Sequence, residues 1–348
     1  WLPSARPSDR DGEVYLNRFF VIKMPKESDD IFELIKIASK VDNIDSAEPI
    51  TIMKTNYTPN DPRWNQQYGR ELIQADLAFD LWNISDGHLP GSSDAEEIVV
   101  AIVDVGFEWT HPDLVNNVWQ NLGEDFDGDG AVIVQQGNTW IFDPGDQNGI
   151  DDDGDGYVDN FIGWDVSYND NDPAPESFSH DHGTLVAGCV SASTDNNIGI
   201  SSVGWSVKLM GINSSDDPEV VSDGYNGVLT AAQMGADVIN MSWGGSGGGA
   251  QNIMNTVYNS YGCILVASAG NGDEDGNTDF AYHTPSGLDN VISVSAIGRN
   301  DNFSCWATGG ETVDLCAPGE SIITTDVNND YRAANGTSFA SPIAAGAV

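Results

Sequence analysis

Ile98-Val99-Val100-Ala101-Ile102-Val103-Asp104-Val105-Gly106 is the stretch that decides the fold. A continuous apolar run is expected for a strand buried on both faces of a parallel sheet. It closes on an aspartate, and open α/β sheets carry their sites at the C-terminal ends of strands. Further strands are predicted at 207–212, 238–242, 264–268 and 291–296, with helices at 183–191, 224–235 and 250–261. Strand and helix alternate, which predicts the α/β class with a mainly parallel sheet and helices on both faces.

The chain has 348 residues, 40% of them hydrophobic, enough for one large domain and a smaller one. No apolar run approaches the roughly 18–20 residues of a membrane span. Fifty-four acidic against 13 basic residues leave a formal charge of −41. That excludes generic nucleic-acid binding, whose phosphate contacts need a basic surface. It suits a very soluble protein, metal binding by carboxylates, or a salty environment. Cys189, Cys263, Cys305 and Cys316 show no metal-ligand spacing. The first two lie in apolar stretches and read as buried thiols. Cys305 and Cys316 bracket Gly309-Gly310 and are placed to face each other across a hairpin, with a disulfide between them left open.

The chain opens at Trp1 with no basic-then-apolar leader, so any signal peptide is expected to have been removed or to lie upstream. Residues 18–23 read as a strand. Residues 28–38, with Ile31, Leu34, Ile35 and Ile37 apolar and Ser28 or Asp29 as N-cap, read as a helix, and 44–53 as a second strand. This unit, 14–55, is too small to be stable alone. Residues 56–67, with Pro59-Asn60-Asp61-Pro62, read as a linker to a domain over 68–348.

An acidic, glycine-rich insertion occupies 119–165. It holds Asp125-Phe126-Asp127-Gly128-Asp129-Gly130 and Asp151-Asp152-Asp153-Gly154-Asp155-Gly156-Tyr157-Val158-Asp159. Oxygen ligands at alternating positions followed by glycine match the first half of a calcium loop. Asp151, Asp153, Asp155 and Asp159 fall at loop positions one, three, five and nine, but position twelve is Ile162 rather than glutamate, so the run is not an EF-hand. The alternative is a disordered acidic loop, against which Tyr157, Phe161 and Trp164 argue.

Near the other end, Asn335-Gly336-Thr337-Ser338-Phe339-Ala340-Ser341-Pro342 delivers a serine to the start of an apolar helix, with the proline read in its first turn. Such a serine is either an N-cap or a nucleophile beside the positive end of the helix. His182, in His180-Asp181-His182-Gly183-Thr184-Leu185-Val186-Ala187-Gly188, opens another helix. His180 lacks that following context and reads as a surface residue, and His88 and His111 as loop or structural histidines. Asp104, His182 and Ser338 supply an orienting carboxylate, a base and a nucleophile for acyl transfer. Ser268-Ala269-Gly270-Asn271-Gly272 follows a predicted strand. Asn271 is either a left-handed turn residue or, with the Ser338 N–H, an oxyanion donor.

The order Asp, His, Ser and the segments Ile102-Val103-Asp104-Val105-Gly106, His182-Gly183-Thr184-x-Val186-Ala187-Gly188 and Gly336-Thr337-Ser338-x-Ala340-Ser341-Pro342 resemble the signature blocks of subtilisin-like serine proteases. The resemblance covers about residue 60 to the end. It implies a triad of Asp104, His182 and Ser338, Asn271 in the oxyanion hole, and a peptide or protein substrate held as an extended strand beside Ser242-Trp243-Gly244. It implies a calcium site at Asp113 and Asn196, and fits calcium at the Asp151 run. Residues 14–55 resemble the C-terminal half of this family's inhibitory propeptide, with maturation expected near 53–60, and secretion is the expected destination. The helix begun at Ser338 is expected to run past Val348. Val105 and Phe339 depart from the family's usual Thr or Ser and Met, and neither removes a catalytic atom. Competing functions are a peptide ligase on the same fold and a non-catalytic, calcium-stabilised adhesion module. A lipase would need Gly-x-Ser-x-Gly, which Gly336-Thr337-Ser338-Phe339-Ala340 fails.

Overall fold

A computed structural model describes residues 10–11, 14–15, 31–41, 44, 46–47, 57–92, 97–247, 250–272 and 283–348. The chain divides into two compact units, Trp1–Thr55 and Asn56–Val348. In the first, the short strands Arg10–Asp11 and Val14–Tyr15 pair antiparallel, and Ile31–Ala38 is a helix where the apolar spacing predicts one. The strand predicted at 18–23, most of that at 44–53, and the cap residues Ser28 and Asp29 lie outside the described residues.

The second unit is built on a seven-stranded sheet. Its strands are β1 (Val99–Asp104), β2 (Gly163–Asp165), β3 (Lys208–Asn213), β4 (Val238–Met241), β5 (Ile264–Ser268), β6 (Val291–Ile297) and β7 (Leu315–Pro318). They lie in the order β7-β6-β5-β4-β1-β3-β2, every pair parallel. The five strands predicted from apolar runs appear within a residue of their expected ends. A hairpin of β8 (Ile322–Asp326) and β9 (Asp330–Ala334) follows.

β1 is buried along its whole length because helices cover both faces. Val100 and Ile102 join one core with Val186 and Val190 of α1 (His182–Ser191) and Ala340 of α4 (Thr337–Ala347). Ala101 and Val103 join the other with Val228 and Ala231 of α2 (Gly224–Gln233) and Met254 of α3 (Gln251–Thr256). A strand with two buried faces cannot alternate apolar with polar, which is why its sequence is a continuous run. The helix predicted at 250–261 is α only to Thr256 and continues as a π-turn over Val257–Tyr261, ended by Gly262 at φ +80°.

Apolar patterning does not reach β2, β7 or the β8–β9 hairpin, which are short or polar. The hairpin is held differently. Thr324 and Thr325 donate their hydroxyls to the Leu185 and Thr184 carbonyls of α1 at 2.6 and 2.7 Å. The acidic insertion contains a hairpin of its own, Ile133–Gln136 with Thr139–Phe142, and Phe142 stacks on Trp109 with ring centroids 5.1 Å apart.

Two expectations are corrected. Cys316 does not face Cys305 across a hairpin. It lies in β7, parallel to β6 and paired with Ser295, and the intervening segment bonds instead to the Gly270 and Ser293 carbonyls through the Thr308 and Asp314 N–H groups. Both thiols are free and exposed, while Cys189 and Cys263 are buried as expected. Pro342 sits in the second turn of α4, not the first, and this has a consequence at the site.

Candidate active site

Three strand ends and two helix starts converge. Asp104 is the last residue of β1 and is fully buried. His182 opens α1, and its Nδ1–H lies 2.8 and 3.0 Å from the two Asp104 carboxylate oxygens. Burial alone would push the imidazole pKa down; the adjoining Asp104 charge and its hydrogen bond outweigh that and hold it above the usual histidine value. The base form is therefore lost as pH falls. The acid limb of kcat/KM, measured with an uncharged substrate, is expected to turn at higher pH than an ordinary histidine would give, and in Asp104→Asn that limb should move to lower pH.

The close approach of α1 to β1 explains Gly183. A Cβ there would stand 2.1 Å from the Gly106 carbonyl oxygen and 3.1 Å from Asp104 Cβ. Gly183→Ala must therefore displace His182 from Asp104. A shift of about 1 Å costs on the order of 100-fold in kcat, and steady-state kinetics should show kcat falling with little change in KM.

Ser338 is half-buried in the first turn of α4. Its Oγ donates to the Ser242 carbonyl at 3.1 Å rather than to His182. The neighbouring Phe339 ring lies 6.0 Å from the His182 ring. Pro342 has no N–H to offer the carbonyl four residues back, which is that of Ser338. Ser242 Oγ takes its place, donating to the Ser338 carbonyl at 2.8 Å. Asn240 Nδ2 donates in turn to Ser242 Oγ, and Ser341 Oγ donates to Asn240 Oδ1 at 2.8 Å. A buried polar chain thus pins the helix that carries Ser338 to β4. Ser242→Ala leaves the Ser338 carbonyl without that donor and is expected to lower stability by about 1–3 kcal/mol, read as a denaturation midpoint.

Asn271 follows β5 and is exposed. Its Oδ1 accepts from the Thr337 N–H and hydroxyl at 2.9 and 3.0 Å, which leaves Nδ2 as the amide group available to a ligand. An open cleft of about 440 Å³ lies between Asn271, Trp306, Glu320, Asn335 and Gly336. Ser242-Trp243-Gly244 follows β4. The Trp243 indole is turned back, donating to the Val103 carbonyl at 2.8 Å and packing on Tyr225, so the segment offers its backbone rather than that ring. His283, unremarked in the sequence, is buried against this segment; a Cβ on Gly244 or Gly270 would strike its ring. His180 is not a surface residue. It is buried between Ser177 Oγ and the Asp216 carbonyl.

Asp113 is fully buried, and burial pushes its carboxyl up to about 7, with Asp61 adding charge repulsion. Asn196 Nδ2 and the Ile200 N–H donate to it at 2.8 and 2.9 Å. Asp61, also buried, accepts from the Asp195 and Asn196 N–H groups. Two buried carboxylates that repel one another fit a hard dication such as calcium. Asp61 carried no local signal, being a polar residue in an apparent linker turn. In the insertion, Asp125 and Asp127 meet Asp146, and Asp151 and Asp153 meet Glu124. Asp129, Asp155 and Asp159 instead accept from nearby N–H groups of Ala131, Tyr157 and Gly149. His111 is structural, as read: its Nδ1 accepts from the Asp113 N–H and its Nε2–H donates to the Asp330 carbonyl.

This combination of sheet, helices and strand-end residues has known counterparts. Residues 95–348 match the model of the Subtilase family, and the chain belongs to that family. It is 33% identical over 295 residues to thermitase of Thermoactinomyces vulgaris, covering 83% of this chain and 84% of that protein. It is 31% identical over 331 residues to halolysin of Haloferax mediterranei, covering 94% of this chain and 53% of that one. A solved protease of Pseudoalteromonas arctica superposes with a TM-score of 0.57 at 27% identity, covering 83% of this chain and 85% of that one. The chain is a subtilisin-type serine endopeptidase.

Proposed function

We propose that Asp104, His182 and Ser338 are the catalytic triad of a calcium-stabilised, secreted endopeptidase. The observation that carries this is the paired Asp104–His182 contact at the strand ends, with Ser338 on the helix start beside it. Ser338 Oγ attacks the scissile carbonyl and passes its proton to His182 Nε2. Asp104 keeps the other ring nitrogen protonated and stabilises the imidazolium. Asn271 Nδ2 and the Ser338 N–H, a first-turn donor with no helical partner, take the developing oxyanion. His182 returns the proton to the leaving amine, and water releases the acyl group by the same route. The substrate runs as a strand beside Ser242-Trp243-Gly244, and residues 14–55 serve as an inhibitory propeptide.

Calcium, where bound, supplies positive charge that cancels carboxylate repulsion. Asp61, Asp113 and Asn196 would hold one ion, and carboxylates of the 125–129 and 151–159 runs would hold others in the insertion. Secretion is supported by relatives named as extracellular proteases, from Xanthomonas campestris among others, and no described helix is long and apolar enough to cross a membrane.

Asn271→Ala tests the oxyanion assignment. It should lower kcat about 100- to 1,000-fold with KM held, measured on a chromogenic peptide. An unchanged kcat would return Asn271 to the turn-residue reading.

A further inference from the structure

We propose that Asp146 closes a calcium site with Asp125 and Asp127, forming a clip across the base of the hairpin that spans 133–142. This rests on the reading of the 125–130 loop as calcium-binding, and adds to it a ligand from the far side of the hairpin.

Asp146 is fully buried. Its Oδ1 accepts from the Asp127 N–H at 3.2 Å, while its Oδ2 is buried with no hydrogen-bond partner. A buried carboxylate oxygen without a partner is costly unless something positive meets it. Carboxylate oxygens of Asp125, Asp127 and Asp146 all lie within 4.8 Å of one another. One ion with oxygen ligands at about 2.3–2.6 Å bridges such a set. Among the described residues, no basic side chain forms an ion pair with Asp125, Asp127, Asp143 or Asp146.

The backbone is shaped to allow the approach. A Cβ at Gly145 would stand 2.3 Å from Asp127 Oδ2, so a larger residue there would have to turn that carboxylate aside. Asp143 Oδ1 holds that segment in shape by accepting from the Gly145 N–H at 2.7 Å. On the loop side, Asp125 accepts from the Gly128, Asp129 and Gly130 N–H groups, which orients its carboxylate. The two ligand segments flank the hairpin in the chain. An ion held between them fixes both ends of it, and with them the Phe142 ring that stacks on Trp109.

The test uses the full chain carrying Ser338→Ala, which prevents self-digestion, and calcium titrated by calorimetry. Asp146→Asn is expected to remove one bound calcium or weaken it at least tenfold, as is Asp127→Asn. In chelator, Asp146→Asn should melt no lower than its parent, because the unpartnered buried charge is gone; in calcium it should melt lower. A merely structural aspartate would not produce that crossing. If Asp127→Asn loses a site and Asp146→Asn keeps them all at full affinity, Asp146 is not a ligand and the proposal falls while the loop reading stands. If both variants bind as the parent does, the loop reading fails and takes the proposal with it. Should Asp146→Asn not fold, amide exchange in the unsubstituted Asp146 chain decides the matter. Calcium should slow exchange both at 127–130 and at 143–146, and slowing confined to the first segment would overturn the proposal.

Discussion

Ser338→Ala is expected to lower kcat by about 10⁶-fold, the magnitude that loss of the nucleophilic serine has in subtilisin. The effect should appear in kcat with KM nearly held, because the hydroxyl contributes to the transition state and not to binding the substrate strand. Stability should change little. Ser338 Oγ makes one hydrogen bond, to the Ser242 carbonyl, and a single bond of this kind is worth about 1 kcal/mol. Adding His182→Ala to Ser338→Ala should cost almost nothing further, since the two groups act as a unit. Independent, multiplying losses would mean that His182 acts on something other than Ser338.

Calcium removal carries the second large effect. Asp113 and Asp61 are both buried and repel one another. An ion bound at a thousand times its dissociation constant stabilises the fold by about 4 kcal/mol. For a domain of this size each kcal/mol moves the melting temperature by roughly 2 °C or more. Chelation should therefore lower the melting point of the Ser338→Ala chain by about 8 °C for each such site, with activity of the parent enzyme falling at temperatures in between. Asp113→Asn should melt below its parent in calcium and at or above it in chelator, because the substitution removes a buried charge that Asp61 repels and that a bound ion would neutralise. Identical melting curves with and without calcium would sink the cation role of Asp113, Asp61 and Asn196.

The sheet was legible because β1, β3, β4, β5 and β6 are buried on both faces and must therefore be apolar throughout. β2 and β7 are short, and the β8–β9 hairpin is held by threonine hydroxyls on helix carbonyls, a contact between segments about 140 residues apart that no local pattern reveals. The same division holds at the site. Asp104, His182 and Ser338 stand in glycine-rich contexts because helix and strand approach closely there, as the Gly183 contact with Gly106 shows, so their surroundings mark them. The chain from Ser341 through Asn240 and Ser242 to the Ser338 carbonyl leaves no such mark, since its members look like ordinary strand and helix residues. Its origin was on view in Pro342, once that proline is counted into the second turn. His180 was misread for lack of a context, although its burial depends on Ser177 and Asp216, neither of which the local sequence ties to it. Asp61, Glu124 and Asp146 were missed for one reason. Each meets its partner carboxylates only through folding, from a loop 19 or more residues away.

The measurement that tests the central claim most directly is covalent labelling with a fluorophosphonate, followed by peptide mapping, on the folded chain freed of residues 1–55. A single adduct on Ser338, formed quickly by the parent and lost in His182→Ala, is the predicted result. A folded protein that takes no label, or takes it on another serine, would contradict the triad and leave the calcium-stabilised adhesion module as the better account of this chain.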